Sequence, residues 1–487
     1  MKFLTKVSPN NRDKDHSTQG VMAELSVGLL VVFIFSMVFY FQEYGMDYVI
    51  HGVLLMVTAI VVALLTEAVF ALATKKNIVK HMRSSFPLVT AIILVLTVPI
   101  STTYFAIGVA SFFAIFVGKL IFGGFGHNIF NPAGVGRAVI FASLMGSTVA
   151  DVTTSATPIS SIANAGWLIK DAAVTEKFLE QFGGLTNLLL GWYPGAIGET
   201  SALLILLVGA YLAYRKVLDW KVPAVYIGSV FVFTTIIALV NGVGMWYPMF
   251  HVLAGGLVFG AVFMATDPVT NPTTISGRII YAIGLAALTV IIRLQASLPG
   301  GVVFAILIMN MVSPLIDKLT DGWSIYSVKK YTVSIAVTFA AGILLTFMAG
   351  NGLEPKAIEF PREGGGLGIF TDSQDNLPEV LEQSEEGSVV TFVLSAPGYY
   401  AIQSGGEPNK IEVKINKDTN TVESVAIVSV NDTPGLGDRI DDPAFLDQFK
   451  GISFEDKNAG VDAISGATIS STSVTKAVRI AFETLNK

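Results

Sequence analysis

The sequence predicts a polytopic α-helical membrane domain of about ten helices, then one more membrane helix, then a small exported α+β domain. Three observations predict it. Apolar runs of about 20 residues recur as far as Gly350 and then stop; about 20 such residues carry a helix across a hydrocarbon core about 30 Å thick. Charged residues are only 14% of the 487, and apolar ones 52%, where a soluble domain carries about 25% charged. Past Gly350 the apolar residues alternate instead, as in half-buried strands.

Eleven apolar segments lie near 22–41, 48–73, 86–99, 102–122, 134–149, 201–214, 222–240, 248–265, 279–292, 300–315 and 331–349. The first begins near Val21, after a polar stretch of mixed charge with no small-residue cleavage site. It reads as a retained helix and not a signal peptide. Several segments are short, which suits tilted, broken or re-entrant spans.

Basic residues set the orientation. Lys2, Lys6, Arg12 and Lys14 precede the first span. Lys75, Lys76, Lys80 and Arg83 follow the second, Arg215, Lys216 and Lys221 follow the sixth, and Lys318, Lys329 and Lys330 precede the eleventh. By parity these loops share one side, and Arg293 is the exception. The excess of Lys and Arg places that side in the cytoplasm. The long connection over 150–200 and everything after Gly350 then lie outside. The expected division is a cytoplasmic N-terminus (1–20), a membrane domain (21–320), a membrane helix (321–350), a linker (351–370) and an exported domain (371–487).

An internal repeat joins the two halves of the membrane domain. Asn131-Pro132 and Asn271-Pro272 each follow a Gly-rich apolar run and precede another, with Arg137 and Arg278 close behind. Two halves of five spans would be inverted in the membrane, as in transport folds. Alternatively, each Asn-Pro only starts a helix. Two carboxyl groups fall in or beside spans. Glu67 and Asp267 either line an ion path, or Glu67 reaches out towards Lys75 and Asp267 caps the helix that follows. Arg137 and Arg278 pair with them, hold a cofactor, or anchor span ends.

In the tail, Val389–Leu394, Ile411–Ile415 and Val422–Val428 alternate as strands. Val474, Ala477, Val478, Ile480, Ala481 and Leu485 mark one face of a closing helix over 473–485. Net charge is −6 with no basic block, so nucleic acid is not expected as a partner. The absence of cysteine excludes disulfides and Cys-ligated zinc or iron–sulfur centres in this chain. The five histidines form no metal-binding pair.

Two heptapeptides share the pattern D-x-x-(S/T)-(G/S)-A-T. One ends Ser155-Ala156-Thr157 and the other Ser465-Gly466-Ala467-Thr468. The pattern resembles the site at which flavin transferases attach FMN to threonine through a phosphodiester. Such a site needs a small, accessible hydroxyl, and a helix start suits the phosphate. The bland reading is a polar loop at Thr157 and a capped Ser/Gly/Thr turn at Thr468.

A second element is the turn Thr433-Pro434-Gly435-Leu436-Gly437 after Asp432. With the S-G-A-T site it makes residues 325–487 resemble the Rnf complex G subunit and the Nqr C subunit. Those proteins have one membrane helix and an exported FMN-binding domain. They commonly carry Glu where Asp432 stands, a change expected to keep the charge and alter little. Residues 20–320 resemble the Rnf D and Nqr B subunits through G-H-N-I-F-N-P-A at 126–133, M-A-T-D-P-V-T at 264–270 and S-A-T-P at 155–158.

The resemblance implies a fusion of D and G subunits that carries two covalent FMN groups, on Thr157 and Thr468. Ser155, Ala156, Ser465, Gly466, Ala467, Thr433, Gly435, Leu436 and Gly437 would surround them, and a non-covalent riboflavin would sit among the helices. It implies a redox-driven translocase of Na+ or H+ in a bacterial cell membrane. The partners would be iron–sulfur, NADH- and ferredoxin-reacting subunits, with a flavin transferase for maturation. Three other readings stay open: a component of an Nqr-type NADH:quinone pump, a flavin-linked reductase that pumps nothing, and a transporter with an unrelated surface domain.

Overall fold

A computed structural model describes residues 17–144, 152, 157–295, 301–321, 328–356, 367–370, 376–432, 437–456, 459–464 and 467–486. It divides into two compact units, Met1–Lys356 and Ala357–Lys487.

Among the described residues of the first unit six helices are long and apolar enough to cross a membrane: α1 (Thr18–Tyr44), α2 (Met46–Ala73), α11 (Lys221–Asn241), α14 (Ile275–Gln295), α15 (Gly301–Thr320) and α16 (Val328–Gly350). Two more spans are bent pairs. α3 (Ile78–Ser85) meets α4 (Pro87–Leu96) at 47°, and α12 (Trp246–Leu253) meets α13 (Leu257–Phe259, continued by a π-helix over Gly260–Met264) at 58°. α5 (Tyr104–Ile115, continued by a π-helix over Phe116–Leu120), α6 (Pro132–Ser143) and α10 (Ala202–Tyr214) are shorter. Each of the eleven apolar segments thus has its helix. The connection between α6 and α10 carries α7 (Pro158–Asn164), α8 (Ala172–Glu180) and α9 (Gly184–Leu190).

The bends have local causes. Phe86 adopts a left-handed conformation between α3 and α4, and Pro87 cannot continue the α3 hydrogen-bond ladder. At the other break Gly255 has φ +73°, and a Cβ there would stand 2.8 Å from Ile159. Each break leaves carbonyls without helical partners, and each set is taken by a buried basic side chain. Lys119 Nζ donates to the Ser85 carbonyl at 2.9 Å. Arg293 donates to the His251 and Ala254 carbonyls at 2.7 and 3.4 Å.

The chain reverses at each span, so α3 and α12 start from opposite ends of the bundle. Both first pieces are eight residues long. The Asn-Pro turns, four spans apart, lie side by side at one end, so they are not the equivalent positions of two inverted halves that the sequence suggested. Asn310 of α15 accepts from Asn131 N at 3.0 Å and donates to the Thr270 carbonyl at 3.3 Å. Asn131 also caps α6 through Gly134 N, so the helix-starting reading holds at Asn131-Pro132, whereas the helix after Asn271-Pro272 begins only at Ile275.

The opposite end gathers the connections that parity places together. Trp192 donates to Glu43 at 2.6 Å, Gln295 to the Ala349 carbonyl at 2.7 Å, and Lys356 N to the Ala165 carbonyl at 3.0 Å. α16 packs on α11 and belongs to this unit. A Cβ at Gly342 would stand 2.6 Å from the Phe233 ring, and one at Gly350 2.8 Å from Ile237.

The second unit contains a four-stranded antiparallel meander of β2 (Glu379–Glu386), β3 (Val389–Ala396), β4 (Asn409–Asn416) and β5 (Thr421–Ser429). β1 (Leu367–Gly368) pairs with β6 (Gly460–Val461), so part of the expected linker region pairs within the tail. Two short helices, α17 (Tyr399–Ser404) and α18 (Pro443–Leu446), occupy connections. α19 (Thr468–Leu485) covers the sheet. Val390, Phe392, Leu394, Ile411, Val413 and Ile415 meet Val474, Ala477, Val478, Ala481 and Phe482 in the core. β2 was not expected. Its residues are mostly exposed and half of them are acidic, as suits an edge strand protected from pairing.

Candidate functional site

Thr157 is half-buried and caps α7. Its hydroxyl accepts from Ser160 N at 3.2 Å and lies 3.0 Å from Ser160 Oγ. Pro158 holds the first helical position with no N–H to satisfy. The segment that begins here lies over the α12–α13 break. Ile159 abuts Gly255, and the Trp167 ring stacks on His251 at 5.8 Å. Ser155 and Ala156 lie outside the described residues.

In the tail α19 begins at Thr468 itself, five residues earlier than apolar spacing alone suggests. The first N–H groups of a helix have no acceptors within it, so the motif ends where an anion is favoured. Ala467 is buried, and Ser471 Oγ accepts from Ile464 N at 3.1 Å. Ser465, Gly466, Thr433, Gly435, Leu436 and the side chain of Thr468 lie outside what is described.

Asp432 ties the two motifs of the tail together. Its carboxylate accepts from Ser470 Oγ at 2.7 Å, from Tyr399 N and Tyr400 N at 3.2 Å each, and from Asn409 Nδ2 at 3.4 Å. Glycine walls enclose it: a Cβ at Gly398 or Gly437 would stand 2.0 or 2.5 Å from its atoms. Asp432 therefore holds the start of α19 against the sheet, and Gly437 is needed because a side chain would evict the carboxylate. The sequence pattern gave Asp432 only a charge. The signal for more was its place immediately before a Pro-Gly turn.

Glu67 does not reach out to Lys75. It is fully buried and bound by Lys119 Nζ and His81 Nε2 at 2.7 Å each, and by the Ser85 hydroxyl. Lys119 lies on the π-helix that continues α5 and was missed in the sequence, although a lysine inside an apolar run is a signal by itself. Asp267 does not cap α14, where Thr274 accepts from Gly277 N. It accepts from Val269 N at 3.1 Å and Thr270 Oγ1 at 3.2 Å, within its own turn. Burial raises its pKa above the usual carboxylate value, against the pull of those two donors. Glu67 and Asp267 do not meet, but Lys119, Ser85, Asn128, Asn131 and Asp267 line one cavity of about 100 Å³.

Neither arginine singled out in the sequence pairs with these carboxylates. Arg278 binds Asp219 at 2.8 Å. Burial alone would raise the Asp219 pKa, but Arg278 and the Lys221 N–H outweigh it and hold the group below its usual value. Arg137 acts on Glu199, at the other end of the bundle.

Residues 4–325 match the NQR2, RnfD, RnfE family, and residues 405–483 match the FMN-binding domain. The chain is 37% identical over 332 residues to the D subunit of the proton-translocating ferredoxin:NAD(+) oxidoreductase complex of Clostridium ljungdahlii, covering 66% of this chain and 95% of that one. It is 34% identical over 330 residues to the D subunit of the Na(+)-translocating ferredoxin:NAD(+) oxidoreductase complex of Acetobacterium woodii, with the same two coverages. It is 35% identical over 243 residues to the B subunit of the Na(+)-translocating NADH-quinone reductase of Chromohalobacter salexigens, covering 47% of this chain and 56% of that one.

Proposed function

The chain belongs to the NQR2, RnfD, RnfE family, and from that membership we propose that it is the flavin-carrying membrane component of an Rnf-type ion-translocating ferredoxin:NAD+ oxidoreductase. A part like the Rnf D subunit and an FMN-binding part are joined in one chain. FMN is held covalently on Thr157 and on Thr468, and electrons pass between the two groups. When bound, the flavins supply the redox chemistry, and the protein supplies position and field.

One observation carries the reading. Each D-x-x-(S/T)-(G/S)-A-T motif ends at a helix start, Thr157 as the cap of α7 and Thr468 as the first residue of α19. The residues described around them fit the group: a half-buried capping hydroxyl at Thr157, and at Thr468 a helix start pinned by Asp432. The chain also leaves its first unit beside the Thr157 connection, where Lys356 bonds Ala165. Both threonines then share one side, which the basic loops mark as extracytoplasmic. The domains fall as a cytoplasmic N-terminus, a bundle over 21–320, a helix over 321–350, a linker over 351–370 and an exported domain over 371–487.

NADH- and ferredoxin-reacting subunits and iron–sulfur centres come from partner chains, and a flavin transferase matures this one. The coverage favours Rnf over Nqr, since the matched part spans 95% of the Rnf relatives and 56% of the Nqr one. A non-covalent riboflavin would need the cavity at Asp267 to widen, because about 100 Å³ is below the roughly 300 Å³ of small-ligand sites. Glu67, already paired with Lys119 and His81, joins an ion path only if that cluster opens.

The test is the complex in sealed membrane vesicles, driven with reduced ferredoxin and NAD+. Ion uptake that stops when this chain is deleted, and returns with it, is expected. Electron transfer that proceeds without ion movement and is indifferent to Na+ and to proton uncouplers would favour a plain reductase.

A further inference from the structure

Beneath the Thr157 segment lies a group of charges and polar atoms that capping alone does not explain. Arg293 is 1% exposed and sits in the last turns of α14, after the apolar run that follows Arg278. Two of its nitrogens take the carbonyls of the α12–α13 break. Its Nε, both ring nitrogens of His251 and the Tyr247 hydroxyl are buried and find no hydrogen-bond partner among the described residues. These groups adjoin one another, with the His251 and Tyr247 rings 4.5 Å apart. Native proteins leave few buried polar atoms unmatched, and a cluster of them asks for a reason beyond packing.

Among the described residues the charges are unbalanced as well. Arg137 and Arg293 both act on a single carboxylate, Glu199, whose Oε2 accepts from Ala196 N at 3.4 Å. Arginine cannot shed its proton to remove the imbalance. The surplus is positive, in a region where charges are poorly screened. The segment that starts at Thr157 lies directly over it, with Ile159 against Gly255, which also neighbours Arg293, and Trp167 stacked on His251.

We propose that Arg293 and Arg137, opposed by Glu199, hold a surplus of positive charge against the flavin carried by Thr157 and so set its reduction potential. Electrons that arrive at this end add negative charge, which the surplus offsets. Arg293 is then a positioning residue for electron transfer as well as a cap on a broken helix. The inference rests on Thr157 being a flavin site, and the experiment separates the two.

The full chain, carrying Thr468→Ala so that one attachment site remains, is made with a flavin transferase. Its intact mass and the potential of the attached flavin are measured. Arg293→Gln should keep the added mass and titrate at a lower potential than the parent. Arg293→Lys, which keeps the charge but not the paired carbonyl bonds, should stay near the parent. Glu199→Gln should shift the potential upward, opposite in sign. Arg137→Gln, which breaks no carbonyl cap among the described residues, should shift it downward and serves if Arg293→Gln does not fold. Unchanged potentials, shifts of one sign for both charges, or equal falls in Arg293→Lys and Arg293→Gln would overturn the proposal. A parent without added mass would overturn the Thr157 reading, and the inference with it.

Discussion

Replacing Asp432 with alanine should loosen the start of α19 from the sheet. Among the described residues, four donors reach the carboxylate. A hydrogen bond to a charged group contributes about 1.5–3 kcal/mol, but the four losses are unequal. Tyr399 and Tyr400 are exposed, so water replaces the carboxylate at their N–H groups. Ser470 and Asn409 are 1% and 0% exposed, and their donors would be left buried. Those two bonds dominate, and the expected cost is about 2–4 kcal/mol. With a urea slope of about 1–3 kcal/mol per M, the tail should unfold about 0.7–4 M earlier. Proteolysis of the tail across a urea series, in the full-length protein in detergent, reads that midpoint. Asp432→Asn should cost less, because it keeps the shape. Asp432→Glu should cost about 1–3 kcal/mol, since the glycine walls leave no room for a further methylene. An Asp432→Ala midpoint within about 0.5 kcal/mol of the parent, as for an ordinary surface change, would refute the reasoning.

Other substitutions probe the first unit. Lys119→Met alone leaves Glu67 buried without its cation and should cost about 3–5 kcal/mol, whereas Glu67→Gln with Lys119→Met should recover much of it. Thermal unfolding in detergent ranks the two. Gly342→Leu drives a side chain into the Phe233 ring and should lift α16 from α11 at a cost of about 1–3 kcal/mol, seen as earlier protease cutting near residue 328. Asn310→Leu removes the bonds to Asn131 N, the Thr270 carbonyl and the Tyr281 hydroxyl and leaves three buried groups unmatched. It should lower stability by about 2–4 kcal/mol, with a fall in Tm as the readout.

Span positions were legible because hydropathy is a property of local runs, and all eleven segments carry helices. The broken spans were half legible. Pro87 and the Gly255-Gly256 pair punctuate α3–α4 and α12–α13, but the bend direction depends on which neighbour takes the freed carbonyls. The partners of Glu67 lie 14, 18 and 52 positions away in sequence (His81, Ser85 and Lys119), too far for any periodicity to connect them. The Arg293 cluster was hidden for the same reason, although one arginine inside an apolar run was visible. In the tail, alternation revealed β3, β4 and β5 because each buries one face. β2 faces solvent almost throughout and left no such pattern. Both attachment motifs were legible as strings. The sequence already put Thr468 at a helix start; that Thr157 caps a helix, and that Asp432 pins the start of α19, required the fold.

The most direct test of two flavins in one chain is the intact mass of the protein made with its flavin transferase, beside Thr157→Ala and Thr468→Ala. The account predicts two FMN-sized additions, one lost with each threonine, and in-gel flavin fluorescence that disappears only when both are replaced. A mass without any addition, or additions that persist in both variants, would contradict it.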